Sequence, residues 1–342
     1  MAVFKTQKSA GINHRKTPRV SIGLPVYNGE NYLEETLKSI LNQNFSDFEL
    51  IISDNASTDQ TSLICERHRR RDARIRYYRQ DTNVGAAKNF NTAFQLSRGE
   101  YFRWTSHDDL ISQDYLEKCV NVLDSSADII LCHTRVNIIH QDDGTISPYN
   151  MTLKNVGSSY PSERFGDLVA MHYSRFSYFI FGLIRRDILL KTSLFPGTIG
   201  ADRILMAELA LLGRFHEIPE YAFYLRDHKD RLSKRALLYR HAQWWDTSRH
   251  CTRFVFPHWE RPFAFLQCLN RVHIHGQERH RCYMKILLSL IKDMYWGMMI
   301  SDILIAVIPR SREVLWRIKG LLTKACDRKK FFGGNSTRPH VS

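Results

Sequence analysis

The chain has few of the features that identify a secreted, membrane-spanning or disulfide-linked protein. Its seven cysteines are scattered, odd in number and without a Cys-x-x-Cys pair, which argues against both a disulfide framework and a zinc ribbon. The first 19 residues are polar and basic and lack the apolar core of a secretory signal. Charged residues interrupt the most apolar stretch before it reaches the roughly 18 to 20 residues of a spanning helix. We therefore expect a cytoplasmic protein in a reducing environment.

The sequence also lacks both of the common glycine-rich motifs that bind phosphate groups. The strand-like segments are not followed by a Gly-x-Gly-x-x-Gly fingerprint, and no Gly-Lys-Ser/Thr loop occurs anywhere in the sequence. A dinucleotide-dependent enzyme and a P-loop ATPase are therefore disfavoured.

Length and charge divide the chain into unequal regions. With 342 residues and 43% hydrophobic content, it can bury one large core. The formal charge of +14 lies entirely in residues 231–342, which carry 21 Lys and Arg against 7 Asp and Glu, whereas residues 1–230 carry 28 of each sign. We predict a flexible N-terminus over residues 1–18, a main domain over 19–232, a helical basic region over 233–332 and a disordered tail over 333–342.

The positive charge does not indicate a nucleic-acid partner. The arginine-dense stretch from Arg67 to Arg76 lacks interleaved aromatic residues and spans a helix end and a loop. We interpret it as a solvated surface and expect no nucleic acid to bind.

From Val20 onward, short apolar runs alternate with amphipathic segments, a pattern typical of a parallel sheet covered by helices. The fold class is therefore α/β. Strands are predicted at 20–26, 48–53, 75–78, 101–105, 128–139 and 176–184, with an extended segment at 216–228. Helices are predicted at 33–41, after 59, and at 85–96, 112–123 and 202–212.

Polar residues follow several of these strands, at the edge where an open α/β sheet binds its ligands. Asp54, after the second strand, can accept a hydrogen bond from a base or a ribose, and Tyr27 can stack on a base. The alternative is that Asp54 only caps the turn that follows it.

Two adjacent carboxylates, Asp108 and Asp109, follow the fourth strand. They repel each other unless a cation or hydrogen-bond donors hold them, so the pair indicates a hard divalent ion that bridges to a diphosphate. Such an ion would neutralise a leaving nucleoside diphosphate. The alternative for Asp109 is a cap on the helix that begins near Ser112.

Several segments together resemble the family 2 glycosyltransferases, whose fold is called GT-A. The similarity covers roughly Arg19 to Ser233 and implies a mostly parallel, Rossmann-like sheet flanked by helices, with 19–232 as the catalytic domain. The helical basic region 233–332 follows it. The matching segments are Ser21–Glu30, Phe48–Asp59, Asn83–Asn91, Gly99–Tyr101 and His107–Asp109.

The resemblance also implies a set of binding residues. Asp108 and His228 would bind Mg²⁺ or Mn²⁺, although Ser106 stands where the family's Asp-x-Asp motif has its first Asp. Gly182 resembles a small residue near the donor sugar, and a purely structural glycine is the alternative there. The residues implied to bind the nucleotide-sugar donor are Pro25, Tyr27, Glu30, Asp54, Asn83, Gly85, His107, Asp108 and Gly182.

Inversion at the sugar requires a base that takes the proton of the acceptor hydroxyl. The family provides it near the start of a later helix, and Asp202 resembles that residue. An N-cap role for Asp202 is the alternative.

The resemblance thus implies an inverting glycosyltransferase of the hexosyltransferase type. It would use a nucleoside diphosphate-sugar, UDP-linked, and a glycan or lipid-linked acceptor in surface polysaccharide biosynthesis. One alternative is a non-catalytic nucleotide-sugar-binding protein. The other is a sugar-1-phosphate nucleotidyltransferase, which would need a Gly-rich first loop, and the segment Leu24–Gly29 is not such a loop.

The basic region has two apolar helical faces, Met284 to Met298 and Val314 to Leu322. A basic amphipathic helix can lie on an anionic bilayer, so we expect peripheral contact with the inner face of the cell membrane. The alternative is that both helices pack on the catalytic domain.

Overall fold

The computed structural model describes residues 17–151, 153–171, 178–229, 243–248, 256–292 and 295–307. The predicted N-terminal segment up to residue 16, the tail from residue 333 and the apolar face from Val314 to Leu322 lie outside these residues.

A single mixed sheet organises the described chain. Its strands lie in the spatial order β3-β2-β1-β4-β8-β6-β9-β5, with β7 paired to β6. The strands are β1 Val20–Val26, β2 Phe48–Asp54, β3 Ile75–Arg79, β4 Tyr101–Trp104, β5 Leu110–Ile111, β6 Ile129–His140, β7 Ile146–Tyr149, β8 Leu183–Arg185 and β9 Arg214–Asp227.

Helices cover the sheet and extend beyond it. Their bounds are α1 Leu33–Leu41, α2 Thr61–Arg71, α3 Ala86–Gln95, α4 Tyr115–Ser125, α5 Pro161–Val169, α6 Arg186–Leu189, α7 Ala201–Leu212, α8 Pro257–Arg271, α9 Gly276–Lys292 and α10 Tyr295–Val307.

The strand pairing is mostly parallel, as the alternating pattern predicts. Strands β3, β2, β1 and β4 pair in parallel, and so do β6 and β9. Strand β8 joins these two groups by antiparallel pairing with β4 and β6. All seven residues of β1 and of β2 are buried, as expected for parallel strands covered on both faces.

The predicted strand 176–184 is wrong over most of its described part. Tyr178–Phe181 is a 3₁₀ helix, and the strand is limited to Leu183–Arg185. A short aromatic and β-branched run is compatible with any fully buried segment, so its composition did not distinguish the two structures. The backbone approaches β6 closely here, because a Cβ on Gly182 would lie 2.8 Å from the Cys132 carbonyl oxygen.

Helices α8 and α9 pack on the sheet domain. Phe265 and Leu269 of α8, and Cys282 and Ile286 of α9, belong to the same buried hydrophobic cluster as the strands. Helix α8 contacts α7, and α9 contacts α5. The alternative that both predicted apolar helices pack on the domain stays a prediction, because α9 packs through Cys282 and Ile286 while the Val314 to Leu322 face lies outside the described residues. Among the described residues, no helix combines the length and the apolar character needed to cross a bilayer.

An ion pair between a buried carboxylate and a partly exposed guanidinium joins α8 to α7. Arg271 Nε lies 2.7 Å from Glu208 Oε1, and the Glu208 side chain is 0% exposed. The backbone N–H and the hydroxyl of Ser193 also donate to Glu208 Oε2, at 3.1 and 2.8 Å.

We predict that Arg271→Ala lowers the free energy of unfolding by about 2–3 kcal/mol, because it leaves the buried Glu208 carboxylate without its cation. Urea denaturation measures the change. The control is Lys191→Ala, whose pair with Asp187 is 3.8 Å long and largely exposed. It should cost less than about 0.5 kcal/mol. Equal effects of the two substitutions would contradict the prediction.

Candidate active site

The loops that follow β1 and β2 hold each other at the carboxyl edge of the sheet. The Asn28 N–H donates to Ser57 Oγ at 2.9 Å, and the Thr58 N–H donates to Asn28 Oδ1 at 2.8 Å. Asn28 adopts a left-handed φ of 52°, which asparagine tolerates better than most residues. The cross-linked turns leave the Tyr27 ring 44% exposed beside them, so it is available for stacking.

Glu30 strengthens the same connection. Its Oε2 accepts a hydrogen bond from the Gln60 N–H at 2.9 Å, and its own N–H donates to Asp59 Oδ2 at 3.1 Å. The structure thus shows Glu30 joining the two loops, while its predicted contact with a donor stays a prediction.

Asp54 and Pro25 lie inside the protein. Asp54 is 0% exposed, with Oδ1 accepting from the Ser57 N–H at 2.9 Å and Oδ2 accepting from the Tyr77 hydroxyl at 2.7 Å. Burial, and then the hydrogen bond to Asp54, raises the pKa of Tyr77 above its usual range. Pro25 is buried in β1 opposite Ser53. Asp54 therefore stabilises the turn, and its contact with a nucleoside stays a prediction.

Asn83 and Gly85 form a compact loop after β3. Asn83 Oδ1 accepts from Asn55 Nδ2 at 2.9 Å and from the Gly85 N–H at 3.0 Å. Gly85 has a φ of +88°, and a Cβ on it would lie 2.8 Å from the Trp245 carbonyl oxygen. A side chain is therefore excluded by both conformation and space.

The segment 243–248 is a part of this region that sequence reasoning missed. It contacts Gly85, and Thr247 Oγ1 lies 3.3 Å from the Asn83 carbonyl oxygen. Trp245 is buried and stacks on Phe195 with ring centroids 5.7 Å apart. The adjacent tryptophans Trp244 and Trp245 were the available signal, because large aromatic side chains contribute strongly to buried contacts.

The predicted metal-binding residues meet in space. Asp108, after β4, and His228, after β9, are 120 positions apart, and His228 Nε2 lies 2.9 Å from Asp108 Oδ2. The Ser106 hydroxyl donates to Asp108 Oδ1. His228 also packs on the Tyr32 ring, with centroids 4.7 Å apart. We refer to Ser106, Asp108 and His228 as the acidic cluster.

The acidic cluster is largely shielded from solvent. The side chains of Asp108 and His228 are 12% and 6% exposed. When His228 Nε2 donates to an ionised carboxylate, its Nδ1 is an acceptor, and Nδ1 is buried without a hydrogen-bond partner among the described residues. An unsatisfied buried acceptor costs free energy, which fits a site that a bound group completes.

The cluster alone is a small ligand set for a metal ion. Within the described ranges, no group of three or more His, Cys, Asp and Glu residues is arranged to hold one. Mg²⁺ is commonly bound through one or two carboxylates, with water and substrate phosphates completing the shell. One carboxylate, one imidazole and a hydroxyl therefore fit an ion that is shared with a diphosphate.

Asp109 has a different role from Asp108. Its Oδ1 accepts the Arg226 N–H at 3.0 Å, and Arg226 Nε donates to the Asp108 carbonyl at 3.0 Å. Helix α4 is instead preceded by Asp114 at its N-cap position, so the expectation that Asp109 caps it is wrong. Asp109 and Arg226 connect the loop of Asp108 to the end of β9, where His228 follows.

Helix α1 holds the same loop from the other side. Thr36 Oγ1 lies 2.9 Å from the His107 carbonyl oxygen and 3.0 Å from that of Asp109. A Cβ on Gly29 would lie 2.8 Å from the His107 ring. His107 itself is partly buried, and its predicted contact with a donor stays a prediction.

Asp202 lies in the first turn of α7. The N-cap position belongs to Gly200, with a φ of +76°, so the alternative that Asp202 is the N-cap is wrong. Asp202 is partly exposed and forms no hydrogen bond or ion pair with any residue that the structure describes.

The loop before α7 and the Asn83–Gly85 loop share neighbouring residues. Asn91 in α3 exchanges two hydrogen bonds of 3.0 Å with the Phe195 backbone. A Cβ on Gly197 would lie 3.2 Å from Asp246 Oδ2, in the segment that also contacts Gly85. The chain leading to Asp202 and the Asn83–Gly85 loop are therefore held by shared neighbours.

Gly182 is buried between β6 and the 3₁₀ helix. A Cβ there would lie 2.8 Å from the Cys132 carbonyl oxygen and 3.0 Å from that of Phe179. Close packing alone therefore explains why residue 182 is glycine. The predicted contact of Gly182 with a donor sugar stays a prediction.

The Glycosyl transferase family 2 model matches residues 21–192. Chondroitin synthase of Escherichia coli is 30% identical over 172 residues, which are 50% of this chain and 24% of that protein. Among the first curated relatives, the matched stretches span between 16% and 42% of the relatives' own lengths.

Solved structures share the fold over nearly the whole chain. TarS of S. aureus (residues 1–349), in complex with UDP-GlcNAc, has a TM-score of 0.60 at 17% identity and covers 95% of this chain and 94% of that one. The mannosyltransferase PcManGT from Pyrobaculum calidifontis, in complex with GDP-Man and Mn²⁺, has a TM-score of 0.52 at 18% identity, covering 93% and 84%. These likenesses confirm the predicted GT-A fold. Since the family model also matches half of the sequence, the chain belongs to glycosyltransferase family 2.

Proposed function

We propose that this chain transfers a sugar from a UDP-linked nucleoside diphosphate-sugar to an acceptor hydroxyl, with inversion at the anomeric carbon. The observation that carries the proposal is the buried contact between Asp108 and His228 at the carboxyl edge of the sheet. In an open α/β sheet this edge is where ligands bind.

The proposed donor site lies along the loops after β1, β3 and β4. The exposed Tyr27 ring would stack on the base, and the Asn83–Gly85 loop offers closely approachable backbone. TarS binds UDP-GlcNAc and PcManGT binds GDP-Man, so proteins of this fold accept nucleotide-sugars. These complexes support the donor class rather than a particular sugar.

Asp108 and His228 would hold Mg²⁺ or Mn²⁺ beside the donor diphosphate. The bound ion would supply Lewis-acid neutralisation of the charge that develops on the leaving nucleoside diphosphate. Ser106 orients the Asp108 carboxylate by donating to Oδ1, which leaves Oδ2 directed to His228. The Mn²⁺ in PcManGT supports a divalent ion.

Asp202 would act as the general base. The acceptor hydroxyl passes its proton to the Asp202 carboxylate while its oxygen forms a bond to the anomeric carbon. The bond between that carbon and the diphosphate oxygen breaks on the opposite face, and its electron pair leaves with the nucleoside diphosphate. The position of Asp202 in the first turn of α7, where its side chain is partly exposed, supports this role.

For the acceptor we propose a glycan or a lipid-linked glycan in surface polysaccharide biosynthesis. Chondroitin synthase, whose name denotes synthesis of a polysaccharide, supports this class. The proposed place of action is the cytoplasm, with peripheral contact at the inner face of the cell membrane.

We predict that Asp202→Asn lowers kcat for nucleoside diphosphate release by about 10²- to 10⁴-fold, because the amide cannot accept the proton. A donor screen with UDP- and GDP-sugars measures the release, and thermal unfolding checks the fold. The control is Asp187→Asn, a similarly placed first-turn aspartate of α6, which should leave kcat unchanged. Unchanged turnover in Asp202→Asn would remove the base assignment.

We predict that Asp108→Asn weakens Mn²⁺ binding by about 10- to 100-fold in the presence of UDP, because the only carboxylate of the cluster is lost. Ser106→Asp should tighten Mn²⁺ binding, since a second carboxylate beside the first attracts a cation. Isothermal titration with Mn²⁺ measures both.

The matched control for Asp108→Asn is Asp143→Asn in the exposed turn between β6 and β7, which should bind Mn²⁺ like the unmodified chain. Unaltered Mn²⁺ affinity in Asp108→Asn would contradict the metal site. UDP-sugar affinity without any release of nucleoside diphosphate would instead indicate a non-catalytic binding protein.

A further inference from the structure

Helix α9 turns its more apolar side away from the protein. Cys282 and Ile286 are buried, and the carbon chain of Lys285 packs close to Gly166 of α5. Five large side chains on α9 are instead between 37% and 59% exposed: Tyr283, Met284, Leu287, Leu288 and Ile291. They recur at positions i, i+1, i+4, i+5 and i+8, which places them in one stripe along the helix.

Helix α10 continues this surface. Trp296, Ile300, Ile303 and Leu304 are between 42% and 50% exposed and recur at helical spacing along one side. Helices α9 and α10 contact each other. We call the two stripes together the α9–α10 apolar face.

Buried polar contacts fix the orientation of α10. His258 Nδ1 of α8 lies 3.0 Å from Asp302 Oδ1, with both side chains almost fully buried. The Trp259 indole N–H donates to the Met299 carbonyl at 3.0 Å. Because α10 is attached to α8 through Asp302 and Met299, its apolar stripe is held outward.

An exposed surface of this kind requires an occupant. Single exposed leucines are normal in soluble proteins, but contiguous apolar surface on two adjacent helices marks a site of protein or membrane contact.

The charge around this face identifies its occupant. Lys285 is exposed, and the Arg281 side chain on α9 is 60% exposed and pairs with Glu278 at 2.8 Å. Residues 308–342, which follow α10 directly, carry nine Lys and Arg against two Asp and Glu. A second copy of the chain would bring an equally basic region against this one, whereas an anionic lipid surface attracts it.

We infer that the α9–α10 apolar face docks on an anionic lipid bilayer. The side chains from Tyr283 to Leu304 enter the boundary between headgroups and acyl chains, and the neighbouring Lys and Arg residues contact the lipid phosphates. The docking itself does not depend on catalysis. Only its use, to bring the enzyme to a lipid-linked acceptor, rests on the proposed function.

The test is co-sedimentation of the full chain with vesicles of equal parts phosphatidylglycerol and phosphatidylcholine, and with vesicles of phosphatidylcholine alone. We expect binding to the mixed vesicles that weakens with added salt, and much weaker binding to the neutral ones. The double variant Leu288→Glu/Ile291→Glu should lose about tenfold or more in vesicle affinity, because two apolar groups that enter the bilayer become charged.

The matched control is Leu63→Glu on α2, where an equally exposed leucine lies outside this face. It should bind mixed vesicles like the unmodified chain. Binding of the double variant equal to that of the control would overturn the proposal, since basic charge alone would then explain adsorption. The proposal would also be overturned if the unmodified chain formed a dimer in solution and the double variant were monomeric. The occupant of the face would then be a second copy of the chain.

Vesicle binding is measured without donor or acceptor, so its outcome is separate from that of the proposed reaction. An unmodified chain that releases nucleoside diphosphate but does not bind the mixed vesicles defeats the docking proposal alone. Vesicle binding by a chain that releases no nucleoside diphosphate defeats the proposed reaction alone.

Discussion

The geometry of the candidate site depends on the attachment of the Asp108 loop to the end of β9. The Arg226 backbone N–H and guanidinium reach Asp109 and the Asp108 carbonyl, while Thr36 holds the loop from α1. These contacts provide hydrogen-bond partners for the carbonyls of His107, Asp108 and Asp109 and for the Asp109 carboxylate. The Asp109 carboxylate thus holds the loop to β9, and the side chain of the neighbouring Asp108 faces His228.

The parts of this arrangement that local patterns control could be predicted from sequence. Buried parallel strands produce continuous apolar runs, and the turns after them require polar residues. The strands β1, β2 and β4 were therefore identifiable, and so were the carboxylates at the ends of β2 and β4. The pairing of Asp108 with His228 came only from family resemblance, because no local pattern relates residues 120 positions apart. The different roles of Asp108 and Asp109 depend on Arg226, a long-range contact that neither position reveals.

The same limit explains what was missed around Asp54 and α9. Asp54 follows a strand as a ligand-binding carboxylate would. Its contact with the Ser57 N–H is the local turn cap given as the alternative, whereas only tertiary structure shows its contact with Tyr77. Helix α9 has an apolar face in sequence, which normally packs inward. In the structure the smaller set of Cys282 and Ile286 is buried, whereas Leu287, Leu288 and Ile291 are exposed. An amphipathic pattern predicts that the apolar face of a helix will be covered. It does not show whether the protein's own core or another surface covers it.

Ser106 gives the acidic cluster a different charge balance from a pair of carboxylates. Two adjacent buried carboxylates would repel each other when no cation is bound, which would raise a pKa or open the loop. A hydroxyl in the first position removes that repulsion and donates a hydrogen bond to Asp108 instead. The loop can then keep one closed geometry with and without an ion. The consequence is weaker attraction for a free cation, so a divalent ion would bind mainly together with the diphosphate, whose oxygens provide the missing negative charge.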